Sequence, residues 1–456
     1  MGAQKPIAVS AHLTFPPAAL ASQIMASSAR TSAAQTRDHL LDTLARRPGS
    51  VWLDSSLSIG DRGHTSLIAT DPELDVICQS NIVTLIKRDG TRRQYQCLDS
   101  LKELERIIAA HNGPAIGYIS YEATLPNLGV SARRANAAVP DVRFLLYSSV
   151  VEVEGDQFDD SQRIKSHSDD RSSYRRGSVG VRPTLDRRAY LGKIATIKDH
   201  IREGDIYQAN FTNRIDVETD RDPLDVYLRL RHVSPAPYSA FLNFGDYQVL
   251  SSSPERMFKR DGDNITTGPI KGTISSGNSE CAATINRQRL LTSEKDRAEL
   301  LMIVDLERND LGRIARVGSV RVDSIFRPEV YSSVIHLVAD VRAQLRPEIG
   351  YADIFAALLP GGSITGAPKQ RAAQIIDELE VTPRSIYTGV IGYIDGNHAD
   401  FSIAIRTMIH RQGSYQVHAG GGIVADSDPD AEYEEMLLKA SGMLKALGVD
   451  TEEIKW

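Results

Sequence analysis

Gly-Pro-Ile-Lys-Gly-Thr occupies residues 268–273, and Lys271 within it is the most informative side chain of the sequence. The proline and the two glycines predict a bend, and no acidic residue stands near the lysine along the chain. If the bend faces the interior, burial disfavours the ammonium and lowers the lysine pKa, which produces an amine nucleophile. Composition alone favours a solvated lysine on a turn, because lysine is rarely buried. The surrounding segments decide between these interpretations.

Length and composition are those of an ordinary soluble globular protein. The 456 residues predict two or three domains or one very large one, with 41% hydrophobic and 25% charged residues. A net charge of −6 argues against a nucleic-acid-binding surface, and no apolar run approaches membrane-spanning length. The scattered Cys78, Cys97 and Cys281 exclude a disulfide scaffold and a zinc ribbon. We therefore expect a cytoplasmic protein.

Composition divides the chain into three regions. Residues 1–154 form an N-terminal region of predicted short strands with one helix at Leu101 to Ala110; its first 37 residues contain no acid. Such a start resembles a transit peptide, but we favour a frayed N-terminus that leads into a helix. Residues 155–188 are polar and lack apolar residues for a core, which predicts a linker or mobile loop. In residues 189–456 predicted strands alternate with helices, and the candidate catalytic segments lie in this third region.

Two acidic segments of this third region are candidates for catalysis. Glu255 follows Ser-Ser-Ser-Pro and would be a general acid in a pocket that raises its pKa; the alternative is a glutamate opposite Arg256 on a turn. Ser293 predicts the start of a helix on which Asp296 and Glu299 share one face. The helix dipole alone would explain acids at that position.

Two glycine-rich segments are candidates for anion binding. Residues 360–369, Pro-Gly-Gly-Ser-Ile-Thr-Gly-Ala-Pro-Lys, precede a predicted helix at 369–379 and would offer backbone N–H groups to an anion. The spacing is not that of a nucleotide-binding P-loop, and a simple helix-entry turn is the alternative. Three consecutive glycines at 420–422 follow a predicted strand, which indicates either a close approach to the backbone or a β-bulge.

A final helix is predicted by Asp428 as its N-cap and Pro429 as its first residue. Glu432, Glu435 and Lys439 would share one face of this helix. An ordinary surface ion pair between Glu435 and Lys439 is the alternative to a functional role.

Taken together and in order, these segments resemble the chorismate-utilising enzymes, most closely the aminodeoxychorismate synthase branch. The resemblance is strong over residues 186–450 and looser in the N-terminal half, through 117–122 and 140–147. The linked motifs are Gly-Asp-Ile-Tyr-Gln-Ala-Asn at 204–210, Ser-Pro-Glu at 253–255, Pro-Ile-Lys-Gly-Thr at 269–273, Lys-Asp-x-x-Glu at 295–299, Asp-Leu-x-Arg-Asn-Asp at 305–310, Gly-Ala-Pro-Lys at 366–369 and the glycines at 420–422. The resemblance implies one large α/β fold of two stacked, mainly antiparallel sheets flanked by helices.

Two positions and one loop choose among the members of that family. Gln208 stands where the water-adding relatives carry a lysine base, which implies an ammonia-adding enzyme. Lys271 stands where anthranilate synthases usually carry alanine, and residues 363–366 resemble the aminodeoxychorismate version of their loop. Anthranilate synthase component I and a non-catalytic regulatory subunit of the same fold remain as alternatives.

The resemblance also implies a mechanism. Lys271 would attack C2 of chorismate, Glu255 would protonate the departing C4 hydroxyl, and ammonia would then add at C4 to give 4-amino-4-deoxychorismate. Glu299 and Glu435 match metal-ligand positions for Mg²⁺, with Asp296 and Glu432 beside them. The positions that match substrate-binding residues are Thr273, His336, Thr365, Tyr387, Arg406, Gly420, Gly421, Gly422 and Lys439.

The resemblance implies partners as well. None of the three cysteines lies in a Gly-x-Cys-x-Gly turn, so ammonia would come from a separate glutamine amidotransferase subunit. Conversion to 4-aminobenzoate for folate biosynthesis would fall to another enzyme. Leu53-Asp54-Ser55 only partly matches the regulatory Leu-Glu-Ser signature of anthranilate synthases, which leaves a tryptophan site in the N-terminal region open.

Overall fold

The computed structural model describes residues 45–60, 62–133, 139–154, 179–277, 279–330 and 334–449. Within these ranges, two antiparallel sheets pack face to face and helices cover the outer face of each. This arrangement confirms the fold that the resemblance implies. No helix of the described ranges is long and apolar enough to cross a membrane.

The first sheet has ten strands among the described residues. These strands are β1 (Ser50–Asp54), β2 (Thr65–Ala69), β8 (Val151–Glu154), β9 (Gly180–Pro183), β10 (Gln208–Glu218), β11 (Tyr238–Asn243), β12 (Gln248–Ser253), β18 (Gly366–Ala367), β21 (Thr407–Arg411) and β22 (Ser414–Ile423). Their spatial order is β18-β10-β22-β21-β12-β11-β1-β2-β8, and β9 also pairs with β10. The predicted glycine and glutamine site residues therefore lie on the neighbouring strands β10 and β22.

The second sheet has twelve strands in the described part of the chain. These strands are β3 (Leu74–Gln79), β4 (Ile82–Lys87), β5 (Arg92–Gln96), β6 (Ala115–Ile119), β7 (Val142–Leu146), β13 (Arg256–Asp261), β14 (Asn264–Gly268), β15 (Ile270–Ser275), β16 (Arg321–Val330), β17 (Val334–Gln344), β19 (Val390–Asp395) and β20 (His398–Ile403). Their spatial order is β15-β17-β14-β13-β20-β19-β6-β7-β3-β4-β5, and β16 also pairs with β17. Lys271 belongs to β15, at the end of this order.

Side-chain caps begin most of the helices, as expected for segments that start at Asp or Ser. Ser293 accepts a hydrogen bond from the Asp296 N–H and Asp428 accepts one from the Ala431 N–H, which confirms both predicted helix starts. The helices are α1 (Ser100–His111), α2 (Arg187–Arg202), α3 (Pro223–Val233), α4 (Glu280–Thr292), α5 (Glu294–Gly312), α6 (Tyr351–Leu358), α7 (Lys369–Leu379) and α8 (Pro429–Ala446), with a 3₁₀ helix at Glu122–Leu128.

A buried core joins the two sheets. Val51 and Leu242 of the first sheet pack in one cluster with Tyr118 and Ile391 of the second. The Tyr118 hydroxyl also lies 2.6 Å from that of Tyr247, so a buried polar contact crosses the apolar interface. Two further clusters lie beneath the helices on the outer faces.

Strands of the N-terminal region enter both sheets beside strands from the second half of the chain. In the first sheet β1 pairs with β11, and in the second β6 pairs with β19. Residues 155–178, the larger part of the predicted linker, lie outside the described residues. The division into regions at 154 and 188 stays a prediction.

Arg384 is a fully buried cation that ties β10 to the loop before β18. Its guanidinium donates to the backbone carbonyls of Asn210 and Ile364, the latter at 2.8 Å, and binds both carboxylate oxygens of Glu380. Glu380 in turn accepts from the Thr212 amide at 3.0 Å and from its hydroxyl at 2.8 Å. One ion pair thus fixes the loop against the sheet.

We expect Arg384→Met to destabilise the protein by about 3–5 kcal/mol, because it leaves the Glu380 carboxylate buried without its cation. Arg202→Met is the matched control, since Arg202 pairs with Asp199 on an exposed helix face; such pairs contribute less than about 1 kcal/mol. Urea denaturation of both variants measures the difference. Equal midpoints would contradict a stabilising role for the Arg384 cluster.

Candidate active site

Lys271 lies in a strand rather than in the predicted bend. It pairs with Leu337 of β17, and the register shifts before the next pair, Thr273 with His336. The extra residue in this bulge is Gly272, whose φ of +71° suits glycine. A β-carbon on Gly272 would lie 3.0 Å from the β-carbon of Asp296. The bend expected from proline and glycine is therefore a bulge beneath α5.

The amine of Lys271 faces the interior, between the two sheets. A β-carbon built on Gly422 of β22 would lie 3.5 Å from Lys271 Nζ, so the amine of one sheet reaches the backbone of the other. Burial lowers the pKa of Lys271, and the charge of Lys439 lowers it further, whereas Glu299 opposes the shift most strongly. Desolvation beside another cation favours the neutral, nucleophilic amine.

Glu255 is a buried carboxyl at the entry to β13, 4% exposed. It accepts hydrogen bonds from the Ser363 hydroxyl at 3.0 Å and from the Ile270 N–H at 3.4 Å. Burial raises its pKa, and the Ser363 hydrogen bond only partly offsets this. The neighbouring Arg256 binds Asp400 at 3.3 Å. The pocket of Glu255 therefore holds a buried carboxyl suited to donate a proton.

Three charged side chains of α8 converge over Gly421. A β-carbon there would lie 3.2 Å from Glu432 Oε2, 3.5 Å from Lys439 Nζ and 3.9 Å from Glu435 Oε1. Lys439 binds Glu435 Oε1 at 2.7 Å and donates to the Gly420 carbonyl at 3.0 Å. Glycine at position 421 thus leaves space for a charged cleft, which a side chain at that position would fill.

The carboxylates of this cleft differ in their electrostatics. Burial raises the pKa of Glu432, and the neighbouring charge of Glu435 raises it further. Burial acts in the same direction on Glu435, but the ammonium of Lys439 outweighs it and holds that pKa below its usual value. The negative charges of Glu299 on α5 and of Glu435 on α8 both act on Lys271. Oxygen donors of this kind fit a hard cation such as Mg²⁺.

The glycines at 420–422 lie within β22 and not after a strand. Gly420, Gly421 and Gly422 pair in regular register with Thr212, Phe211 and Asn210, so the predicted strand end and the bulge alternative are both wrong. A β-carbon on Gly420 would lie 2.1 Å from the Phe211 carbonyl oxygen. A side chain at position 420 would therefore collide with the backbone of β10.

Gln208 is fully buried at the start of β10, beside Gly422. Its amide nitrogen would lie 2.5 Å from a β-carbon on Gly422. Within the described residues, neither its amide nitrogen nor its oxygen has a hydrogen-bond partner. A buried amide without protein partners is uncommon and indicates a group that a ligand completes.

Thr273 of β15 and His336 of β17 pair across the second sheet, next to the Lys271–Leu337 pair. The Thr273 hydroxyl lies 2.9 Å from Nδ1 of His336. Burial lowers the pKa of His336 to about 3, and the positive charge of Arg406 adds to the effect. The imidazole is therefore neutral at physiological pH and can bind a ligand without contributing charge.

Thr365 and Tyr387 are buried near the loop that Arg384 holds. The Thr365 carbonyl accepts a hydrogen bond from the Asn210 N–H at 2.9 Å. The Tyr387 ring packs edge-on to that of His418, with centroids 5.1 Å apart, and burial raises the Tyr387 pKa. Thr365 therefore lies against β10, and Tyr387 packs against His418 of β22.

Sequence reasoning missed a buried carboxyl behind Glu255. Glu307 of α5 is 4% exposed and accepts a hydrogen bond from the Thr267 hydroxyl. Burial raises its pKa to about 8, and the charge of Glu255 adds to the shift. A signal existed in the sequence, because Glu307 follows the helical spacing of buried residues such as Val304 and Leu311. A glutamate on a buried stripe indicates a polar interior.

The Gly-Ala-Pro-Lys motif also has a structural role that its spacing did not reveal. Lys369 is buried at the start of α7, where it binds Asp310 of α5 at 2.6 Å and donates to the Pro360 carbonyl at 3.0 Å. This ion pair joins the Asp-Leu-x-Arg-Asn-Asp motif to the loop that carries Ser363. Both motifs therefore support the position of Glu255.

A second cavity, of about 360 Å³, contains the Leu53-Asp54-Ser55 segment in its wall. Strands of both sheets line it, with Tyr238 from the first and Ser402 from the second. Asp54 is buried and accepts a hydrogen bond from Arg231 Nε at 2.7 Å. The cavity therefore lies at the segment where the sequence left a further site open.

Comparison with known sequences identifies the family that the chain matches. Residues 55–445 match the chorismate binding enzyme family. The chain is 44% identical to aminodeoxychorismate synthase component 1 of Bacillus subtilis over 265 residues, which cover 58% of this chain and 56% of that protein. It is 35% identical to anthranilate synthase component 1 of Pseudomonas putida over 451 residues, covering 89% of this chain and 91% of that protein.

Comparison with solved structures gives the same fold. The crystal structure of anthranilate synthase component I from Streptococcus pneumoniae TIGR4 superposes with a TM-score of 0.70 at 31% identity, covering 85% of this chain and 93% of that chain. The chain spans about half the length of several curated relatives that it matches, such as 54% of anthranilate synthase component 1 1 of Haloarcula marismortui. The relatives carry the names of two different synthases.

Proposed function

The chain belongs to the chorismate binding enzyme family, and on that basis we propose that it is component I of an aminodeoxychorismate synthase. It converts chorismate and ammonia to 4-amino-4-deoxychorismate and water. The observation that carries this proposal is the inward-facing amine of Lys271, with its lowered pKa, between the Glu255 pocket and the carboxylates of α5 and α8. An enzyme that used ammonia alone as its nucleophile would have no need of such an amine.

The residues divide one difficult displacement into two steps. The Lys271 amine forms a bond to C2 of chorismate while the ring double bonds shift and the C4–oxygen bond breaks. Glu255 gives its proton to the departing oxygen, which leaves as water. Ammonia then bonds to C4, the double bonds shift back, and the bond between C2 and the lysine nitrogen breaks.

The charged cleft would bind the substrate carboxylates. Glu299 and Glu435 would hold Mg²⁺, with Asp296 and Glu432 beside them; the ion would neutralise the ring carboxylate of chorismate. Tyr387, Arg406 and the N–H groups around Gly420 to Gly422 would hold the enolpyruvyl carboxylate, with Lys439 nearby. His336, which lies within hydrogen-bond distance of Thr273, would line the pocket together with Thr365.

We propose a separate glutamine amidotransferase subunit as the source of ammonia. Relatives named component 1 support this, because the word implies a further component. The unpartnered amide of Gln208 beside Lys271 Nζ would be a polar contact for the arriving ammonia. The product would then serve 4-aminobenzoate and folate biosynthesis in the cytoplasm.

Anthranilate synthase component I is the second candidate. It is favoured by the match over 89% of the chain to a protein of that name. Lys271 argues against it, because a synthase that adds ammonia directly at C2 would have to keep that carbon free of the lysine.

Product analysis distinguishes the two. The purified chain is incubated with chorismate, Mg²⁺ and excess ammonium at alkaline pH, with and without an aminodeoxychorismate lyase, and the products are separated by chromatography. We expect 4-aminobenzoate only when the lyase is present. Anthranilate formed without the lyase would establish the second candidate instead. Absence of both products, with the amidotransferase subunit also added, would favour a non-catalytic subunit.

A further inference from the structure

Lys439 is held between two different partners at the charged cleft. Its ammonium binds the Glu435 carboxylate at 2.7 Å and donates to the backbone carbonyl of Gly420 at 3.0 Å. The carbonyl is fixed by the pairing of β22 with β10, whereas Glu435 is on the same exposed helix face, one turn away. Lys439 therefore has one permanent partner and one that it can exchange.

Glu435 cannot serve a divalent cation and the ammonium equally well. Lys439 contacts Glu435 Oε1, which is one of the three polar atoms that converge over Gly421. The other two, Glu432 Oε2 and Lys439 Nζ, would lie 3.2 Å and 3.5 Å from a β-carbon on Gly421. A cation placed among these carboxylates would lie a few ångströms from the ammonium, and the like charges would repel.

We propose that Lys439 and the metal ion compete for Glu435, and that this competition couples metal binding to binding of the substrate carboxylate. The inference rests on the proposed function. When the metal takes Glu435, the ammonium keeps its bond to the Gly420 carbonyl and is free to bind a carboxylate. Chorismate carries two carboxylates, and when one of them binds the ammonium, Glu435 becomes available to the metal. Each ligand therefore strengthens the binding of the other, and the two effects are equal in size.

The strength of the ion pair suits an exchange of partners. The side chains of Lys439 and Glu435 are 40% and 53% exposed, and a pair of this kind on a helix is weak. A metal ion can displace the ammonium at little cost. A deeply buried pair, such as Lys369 with Asp310, could not exchange in this way.

The test measures metal binding rather than turnover. Mn²⁺ is titrated into the protein without ammonia, and the free ion is counted by electron paramagnetic resonance, first alone and then with chorismate. We expect Lys439→Met to bind Mn²⁺ alone about three- to tenfold more tightly than the wild type, because the competing charge is gone. Chorismate should tighten Mn²⁺ binding in the wild type and much less in this variant.

Three further variants serve as controls. Lys439→Arg keeps the charge and should stay close to the wild type. Lys445→Met removes a charge of the same helix far from the cleft and should leave Mn²⁺ affinity unchanged. Lys295→Met removes a charge that acts on Glu435 without a hydrogen bond to it, so its effect should be smaller than that of Lys439→Met. Circular dichroism checks that each variant is folded.

The outcomes separate this proposal from the metal site itself. Glu435→Gln should weaken Mn²⁺ binding if Glu435 is a ligand. If it does so while Lys439→Met leaves the affinity unchanged or lower, the competition is overturned and the metal site stands. If Glu435→Gln has no effect on Mn²⁺ binding, the assignment of Glu435 as a ligand fails, and the competition fails with it.

Discussion

Lys271→Ala is expected to lower kcat for aminodeoxychorismate formation by roughly 10³-fold or more, as for other enzymes that lose a covalent nucleophile. The variant keeps the bulge at Gly272 and the pocket of Glu255 but has no amine to attack C2. Excess ammonia should not restore the rate, because free ammonia in the cleft lacks the fixed position of the lysine amine. Steady-state rates at saturating ammonia measure the loss.

Lys271→Arg distinguishes a nucleophile from a positive charge. Arginine keeps the charge but stays protonated in proteins, so it cannot attack carbon. We expect the arginine variant to be as inactive as the alanine variant. In the wild type without ammonia, intact-protein mass spectrometry should detect a species heavier by chorismate less water. Wild-type rates in either variant would refute the covalent role.

Glu255→Gln is expected to lower kcat by roughly 10²- to 10⁴-fold, the usual contribution of a positioned general acid. Glutamine has nearly the same shape and can still accept the hydrogen bond from Ser363, so folding should be unaffected. Glu307→Gln is the matched control: burial raises the pKa of Glu307 to about 8, so near neutral pH it is already largely uncharged. A loss in both variants of the same size would contradict a special role for Glu255.

The pH dependence of the wild type offers a second readout on Glu255. A general acid must be protonated, and burial raises the Glu255 pKa, so the active form persists to higher pH than for an exposed glutamate. The rate should therefore fall as pH rises through this raised pKa. With the concentration of neutral ammonia held constant, the fall should be present in the wild type and absent from the residual rate of Glu255→Gln. A fall that survives the substitution would assign it to another group.

Local signals predicted the helices well. Ser293 and Asp428 cap their helices as expected, since capping depends only on a side chain and the few N–H groups that follow it. The apolar spacing of Leu101 to Ala110 likewise corresponds to α1. Helix caps and helical spacing can be read from the sequence because the residues that produce them lie within a few positions of one another.

The strand assignments failed where pairing partners decide the structure. Proline and glycine around Lys271 indicate a bend, but β17 pairs with this segment and converts it into a bulged strand. Glycines at 420–422 would weaken an isolated strand, yet pairing with β10 holds them in register. Neither partner is near in sequence, so local patterns could not identify it. The family resemblance predicted the roles of the site residues, whereas the pairing of strands in the two sheets determines where these residues lie.

The interleaving of strands has a consequence for biosynthesis. Strands β1 and β6 leave the ribosome early, yet their neighbours β11 and β19 are far later in the chain, and β10 lacks its longest partner until β22 has been translated. Non-local pairing of this kind is slow and leaves strand edges exposed meanwhile. The nascent chain is therefore expected to wait, partly folded and dependent on chaperones, until almost its whole length has been translated.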